Sequence, residues 1–191
     1  MNKSLYKIIL GSNSPRRKDL LSGIDITYKV RTLPDIDEDY PADMPVENVP
    51  EYLAQKKAAA YSERMTDEML LITADTVVIL DGKLYGKPTD DEDAKQMLRS
   101  LSGRTHTVIT GVCLTSTHKQ VTFSDTSLVT FADISDEEIE YYLHQYSSMD
   151  KAGAYGVQDW IGYIAVDRIE GSYFNVMGLP ISKVYRSLKE F

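Results

Sequence analysis

The run Leu70-Leu71-Ile72-Thr73-Ala74-Asp75-Thr76-Val77-Val78-Ile79-Leu80 constrains this chain more than any other stretch. It is apolar almost throughout, rich in β-branched residues, and closed by the turn dipeptide Asp81-Gly82. Such a run reads as one or two buried strands at the centre of a sheet. A carboxylate in its middle is costly to bury without a cation, metal or hydrogen-bond donor beside it. Asp75 is therefore either a residue that breaks the run with Thr76 and caps its own backbone, or part of a site. The choice rests on the cations and carboxylates that the rest of the chain supplies.

The 191 residues suffice for one domain with an ample core, or for two small lobes sharing one. With 21 basic against 29 acidic residues, the formal charge is −8 and the pI about 4.9. That balance argues against sequence-independent binding to DNA or to anionic membranes, which requires a basic face. A small anion held in a local basic pocket remains compatible with it. Cys113 is the one cysteine, which rules out a disulfide framework and a cysteine-based zinc site; its apolar surroundings, Val108 to Leu114, make it a buried strand residue. His106, His118 and His144 have no spacing that suggests a shared metal. Met1-Asn2-Lys3-Ser4-Leu5 lacks the apolar core of a signal peptide, and no run has the length of a membrane span, so a cytoplasmic location is expected.

Near the start, Tyr6 to Leu10 reads as a strand and Gly11-Ser12-Asn13-Ser14 as a small polar turn. Ser14 then stands as N-cap with Pro15 in the first helical position. Strand, small-residue loop and helix N-terminus suit anion binding, and Arg16 and Arg17, which oppose the helix dipole, are better placed with an anion there. The Walker pattern is absent. A strand is expected over Ile26 to Val30, and an acidic loop over Thr32 to Pro45 that carries Asp37, Glu38 and Asp39. Helical spacing over Val49 to Met65 puts Lys57 on the face of Leu53 and Ala58. Thr89 is the expected cap of a helix over Asp90 to Leu101, and Ser135 with Glu138 forms a capping box for Asp136 to Gln145. Thr105 to Leu114 and Gln120 to Phe131 read as a β-hairpin, Tyr163 to Ile169 as a strand, and the C-terminus up to Phe191 as a helix. The mixture is that of an α/β protein.

The candidate residues are of two chemical kinds. Arg16, Arg17, Lys57 and Lys87 are cations; Asp75 and the Asp37-Glu38-Asp39 group are carboxylates. A polyphosphate bound through a divalent metal needs both, because the cations neutralise non-bridging oxygens while carboxylates hold the metal and activate water. A paired-carboxylate glycosidase has no use for four cations, and a serine hydrolase lacks its Gly-x-Ser-x-Gly. The residues alone lead to an anion-binding α/β enzyme.

At these positions the sequence resembles the Maf family of nucleotide pyrophosphatases, also described as septum-formation inhibitors. The resemblance runs over nearly the whole chain, through Ser12-x-Ser14-Pro15-Arg16-Arg17, Asp37-Glu38, Leu53-Ala54-x-x-Lys57-Ala58, Ala74-Asp75-Thr76-Val77-Val78 and Gly86-Lys87-Pro88. It continues through Leu101-Ser102-Gly103, Lys151-Ala152-Gly153-Ala154-Tyr155-Gly156-Val157-Gln158 and Gly171-Ser172-x-x-x-Val176-x-Gly178-Leu179-Pro180. It implies one domain over residues 1–191 with an α/β fold similar to inosine triphosphate pyrophosphatases: a mixed twisted sheet with flanking helices, in two lobes around a cleft. It also implies hydrolysis of a nucleoside triphosphate to monophosphate and pyrophosphate with Mg²⁺ or Mn²⁺. By position, Asp75 would be the general base and a metal ligand, Glu38 a second metal ligand, and Ser12, Arg16, Arg17, Lys57 and Lys87 the triphosphate holders. Arg16, Thr76 and Gln158 match the branch of the family acting on dTTP and UTP, whereas the branch acting on 7-methyl-GTP carries Trp, Gln and Glu there. The chain departs from the family pattern at Asn13 and at Asp159-Trp160, where small residues are usual. A nucleotide-sensing regulatory protein of septum formation is the alternative function, and a homodimer is the default assembly.

Overall fold

A computed structural model describes residues 6–191. Met1–Leu5, read above for a leader, lie outside the described residues. Among the described residues, the expected strand at the start is β1 (Lys7–Leu10), flanked in parallel by β2 (Tyr28–Val30) and β3 (Met69–Leu80). Leu10 faces Val30 on one side and Ile72 on the other. Parallel neighbours need crossovers, which are supplied by α1 (Pro15–Ser22) between β1 and β2 and by α2 (Val49–Ala59) between β2 and β3. The long apolar run is one strand, and Asp81-Gly82 folds it back onto β4 (Lys83–Tyr85). Both turn residues have left-handed φ, 52° and 73°, as a two-residue hairpin turn requires.

β5 (Thr105–Thr115) and β6 (Gln120–Phe131) form the expected hairpin, closed by the Ser116 N–H on the Lys119 carbonyl at 2.8 Å. With β7 (Val166–Glu170) the seven strands make one mixed sheet in the order β2-β1-β3-β5-β6-β7, β4 pairing with β3. Helices α3 (Asp91–Leu101), α4 (Asp136–Gln145), α5 (Trp160–Ala165), α6 (Tyr173–Met177) and α7 (Ile181–Leu188) complete the α/β architecture.

The chain divides into two compact units. The first comprises residues up to 75, 110–125 and 178–191; the second comprises Thr76–Ile109 and Thr126–Met177. In the first, Ile9, Ala54, Ala58, Tyr61, Leu71 and Cys113 pack into one core, so Cys113 is the buried strand residue its surroundings suggested. Gly111 lets α2 approach β5, since a Cβ there would stand 2.3 Å from the Pro50 carbonyl group. The core of the second unit gathers Leu98, Leu101, Ile139 and Tyr142 from α3 and α4 against Val78, Leu80 and Phe131 of the sheet.

The Ser135–Glu138 capping box is present on α4. On α3 the cap is Asp90 rather than Thr89: extended Asp90 accepts the Asp93 N–H at 2.8 Å, and the Asp93 carboxylate in turn accepts the Thr89 N–H at 2.9 Å. Tyr163 to Ile169 is not a single strand. Its first part belongs to α5, where Gly162 lies so close to the Val157 carbonyl that only a glycine fits, and β7 starts at Val166. Tyr163, whose β propensity suggested the strand, is 84% exposed, so burial does not enforce it.

His106 is a buried base in the second unit. Its Nε2 is 2.8 Å from the Tyr155 hydroxyl, its ring stands edge-on to Phe131 and Tyr155, and burial lowers its pKa to about 4. An unfolded histidine titrates near 6.5, so between those two values the unfolded chain holds the extra proton and acid favours unfolding. Stability is therefore full above pH 6.5 and should fall by about 3 kcal/mol towards pH 4 through this group. Urea denaturation of wild type and His106→Gln at pH 7.5 and pH 5 checks it: the variant should lose less stability on acidification.

Candidate active site

β3 alternates its side chains, so Thr73 and Asp75 project from the same face. The Thr73 hydroxyl donates to the Ala54 carbonyl of α2 at 2.7 Å, and Asp75 Oδ1 accepts from Lys57 Nζ, one helical turn further on, at 2.6 Å. Asp75 and Thr76 are the two positions at the middle of β3 that are only partly buried. The acidic carboxylate in the apolar run is therefore paired and reachable from solvent. Its side chain is 14% exposed and that of Lys57 13%.

The acidic loop meets α2 through two consecutive pairs. Asp37 accepts from Lys56 Nζ at 2.7 Å and from the Asp39 N–H at 2.8 Å, while Glu38 Oε1 lies 2.8 Å from Lys57 Nζ. Lys57 thus stands between Asp75 and Glu38, and those two carboxylate oxygens are no farther apart than the sum of their distances to it. Two convergent hard oxygen donors suit a Mg²⁺-type ion that keeps water and substrate phosphate in its remaining positions. Among the described residues no group of three or more His, Cys, Asp or Glu side chains is placed to hold a metal.

The Gly11–Ser14 loop leaves β1 beside β3, with the Gly11 N–H on the Ile72 carbonyl at 2.9 Å. Ser12 Oγ accepts the Ser14 N–H at 3.2 Å and Arg17 Nη1 at 3.3 Å. Arg17 Nη1 also donates to the Ala74 carbonyl at 2.9 Å, and its Nε to the Gly178 carbonyl at 2.8 Å. Withdrawal from water pulls the Arg17 guanidinium below its ordinary pKa, a shift opposed by the Asp75 and Glu38 charges and deepened by Arg16. Ser14 occupies the N-cap position of α1, but its side chain makes no capping bond.

Ser12, Arg16, Arg17, Glu38, Lys57 and Asp75 accordingly all belong to the first unit, with the loop and helix start that follow β1 beside the middle of β3. Thr76, Lys87 and Gln158 belong to the second. Lys87 is exposed in the loop after β4, and Gln158 Nε2 donates to Asp159 Oδ1 at 2.9 Å. The fixing of Arg17 by Ala74 and Gly178 was not evident from the sequence. Gly178, with φ of 110°, stood only as one letter of the Gly178-Leu179-Pro180 motif.

A parallel strand, a small-residue loop and a helix start, together with this charge cluster, make an α/β arrangement suited to an anion. The family model described as "Maf-like protein" matches residues 7–191, and the chain belongs to that family. A dTTP/UTP pyrophosphatase of Porphyromonas gingivalis is 59% identical over 192 residues, covering 100% of this chain and 96% of that protein. One of Phocaeicola vulgatus is 58% identical over 189 residues (99% and 98%), and one of Flavobacterium johnsoniae 45% identical over 183 residues (96% and 94%). Among solved structures, a nucleoside-triphosphatase (dITP/XTP pyrophosphatase) of Mycobacterium abscessus aligns over 95% of this chain and 90% of that one. Its TM-score is 0.44 and its identity 14%, a likeness too slight to argue from.

Lys57→Met should lower stability by about 1–3 kcal/mol, because Asp75 and Glu38 then face one another without the ammonium between them. Adding Asp75→Asn should return part of that loss. Urea denaturation of both single variants and the double variant checks the coupling, and strictly additive losses would show that there is none.

Proposed function

We propose that this chain is a nucleoside triphosphate pyrophosphatase that hydrolyses dTTP and UTP to the monophosphate and pyrophosphate. The observation that carries the reading is the Asp75–Lys57–Glu38 cluster beside the Ser12–Arg17 loop, in a member of a family whose relatives bear that activity in their names. Ser12, Arg16 and Arg17 hold the triphosphate, Arg17 being fixed by two backbone carbonyls before substrate arrives. Lys57 orients Asp75. Asp75 accepts a proton from a water whose oxygen bonds to the α-phosphorus; the bridging bond to the β-phosphate breaks, and pyrophosphate leaves. A divalent cation held by Asp75 and Glu38 would neutralise charge on the triphosphate.

For Lys87 as a phosphate holder, and for Arg16, Thr76 and Gln158 as the residues that select pyrimidines, the assignment rests on the motif match. The acidic surface argues against nucleic acid as a partner, no helix among the described residues is long and apolar enough to cross a membrane, and a cytoplasmic homodimer is the assembly we infer.

A panel of nucleoside triphosphates with Mg²⁺ or Mn²⁺, scoring pyrophosphate and phosphate separately, tests the reading. Pyrophosphate should come chiefly from dTTP and UTP. Nucleotide binding without turnover of any substrate would instead favour a regulatory sensor. Asp75→Asn should lower kcat by about 10²–10⁴-fold, the usual worth of a positioned general base, while the chain stays folded by circular dichroism.

A further inference from the structure

Ile9 of β1 and Leu71 of β3 are partners in the sheet, and beside them the core of the first unit stays open. Tyr61, Leu33, Met65 and Met69 complete the walls of a cavity of about 240 Å³. Arg31, Thr32 and Arg64 line it as well; all three are exposed, so they form its mouth. The cavity lies wholly within the first unit, and none of its residues belongs to the Asp75–Lys57–Glu38 cluster or to the Ser12–Arg17 loop.

The mouth is held in place by side chains from elsewhere. The Tyr61 hydroxyl donates to the Arg31 carbonyl at 2.9 Å and has the Leu33 N–H beside it. Asn13 Nδ2 donates to Thr32 Oγ1 at 3.2 Å, so a departure from the family pattern helps to pin the backbone that carries Arg31.

Inside, the walls are hydrocarbon, two thioethers and one phenol whose hydroxyl is already engaged. A polar group brought there without a partner is unfavourable, whereas methionines adapt to an apolar shape. An apolar cavity of about 150 Å³ takes a benzene ring, so this one has room for a ring with a short alkyl substituent. The mouth has the opposite character. Arg31 Nη1 lies 3.9 Å from Met69 Sδ, and among the described residues neither Arg31 nor Arg64 pairs with a carboxylate. Arg99, Arg104 and Arg168, by contrast, each hold one. In a chain with 29 acidic against 21 basic residues, two guanidiniums without carboxylates at one apolar cavity are complementary to an anion.

We propose that this cavity is a second ligand site, which takes a small acid with an apolar body: one aromatic ring inside, and its carboxylate on Arg31 and Arg64. A free nucleotide fits less well, because the polar edge of a base would lie unpaired among Met65, Met69 and Leu71.

The test is a titration of the full chain, labelled with ¹³C-methyl methionine, with 4-ethylbenzoate and separately with the neutral 4-ethylbenzamide, followed by NMR. Of the seven methionines, Met65 and Met69 should shift along one saturable curve while the other five stay in place. The acid should bind with a Kd of about 1 mM or tighter, as a good ligand of this size does. The amide should bind about fivefold or more weakly, and the double variant Arg31→Gln, Arg64→Gln should weaken the acid by a like factor while leaving the amide unchanged. No saturable shift at Met65 and Met69 overturns the site. Equal binding of acid and amide, or of the acid to wild type and double variant, overturns the role of the two arginines. Binding of dTMP at these two methyl groups more tightly than the acid overturns the choice of an apolar body. Should the double variant fail to fold, the comparison of acid with amide in the wild type decides alone.

Discussion

An ammonium held 2.6 Å from a carboxylate, both mostly withdrawn from water, is the interaction on which the rest of the first unit is arranged. A buried ion pair of this kind adds little net stability, since desolvation offsets the attraction, but losing one partner is costly. It therefore fixes geometry more than it strengthens the fold. The two-residue repeat of β3 and the three-residue step of α2 meet twice, at Thr73 with Ala54 and at Asp75 with Lys57. That double contact sets the helix against the strand, and Gly111 clears the space behind it. The same lysine anchors Glu38 and, with Lys56 on Asp37, the acidic loop.

The second unit works by a different balance. Its Asp159 carboxylate is also buried against a lysine, yet a tyrosine hydroxyl and a glutamine amide share it. A fully shared buried charge rigidifies its neighbours, because each hydrogen bond restricts the next. The first unit thus presents charge suited to phosphate oxygens.

Much of this could be read from residue order. The apolar run with its Asp75, the helical face carrying Lys57, the Ser135 cap and the hairpin closed at Asp81-Gly82 are local patterns, each specified within a few residues. Other features are not local. Arg17 is fixed by Gly178, 161 residues away, through a backbone carbonyl that any residue possesses, so no side chain announces it. The α5 segment looked like strand because Tyr163-Ile164 has β propensity, while the close contact of Gly162 with Val157 decides for helix. The Asp90 cap displaced Thr89 because Asp90 accepts the Asp93 N–H while the Asp93 carboxylate accepts the Thr89 N–H, a chain of bonds that a single cap residue does not reveal. The contacts of Asp159 with Gln158, Tyr142 and Lys151 are likewise not marked by spacing.

In the reaction we propose, a water activated at Asp75 attacks the α-phosphorus of a pyrimidine nucleoside triphosphate. Hydrolysis of dTTP in ¹⁸O-enriched water, with mass analysis of both products, measures this directly. Attack at the α-phosphorus should put one ¹⁸O atom in dTMP and none in the pyrophosphate released. Label in the pyrophosphate would instead place the attack on the β-phosphorus and rule this reaction out.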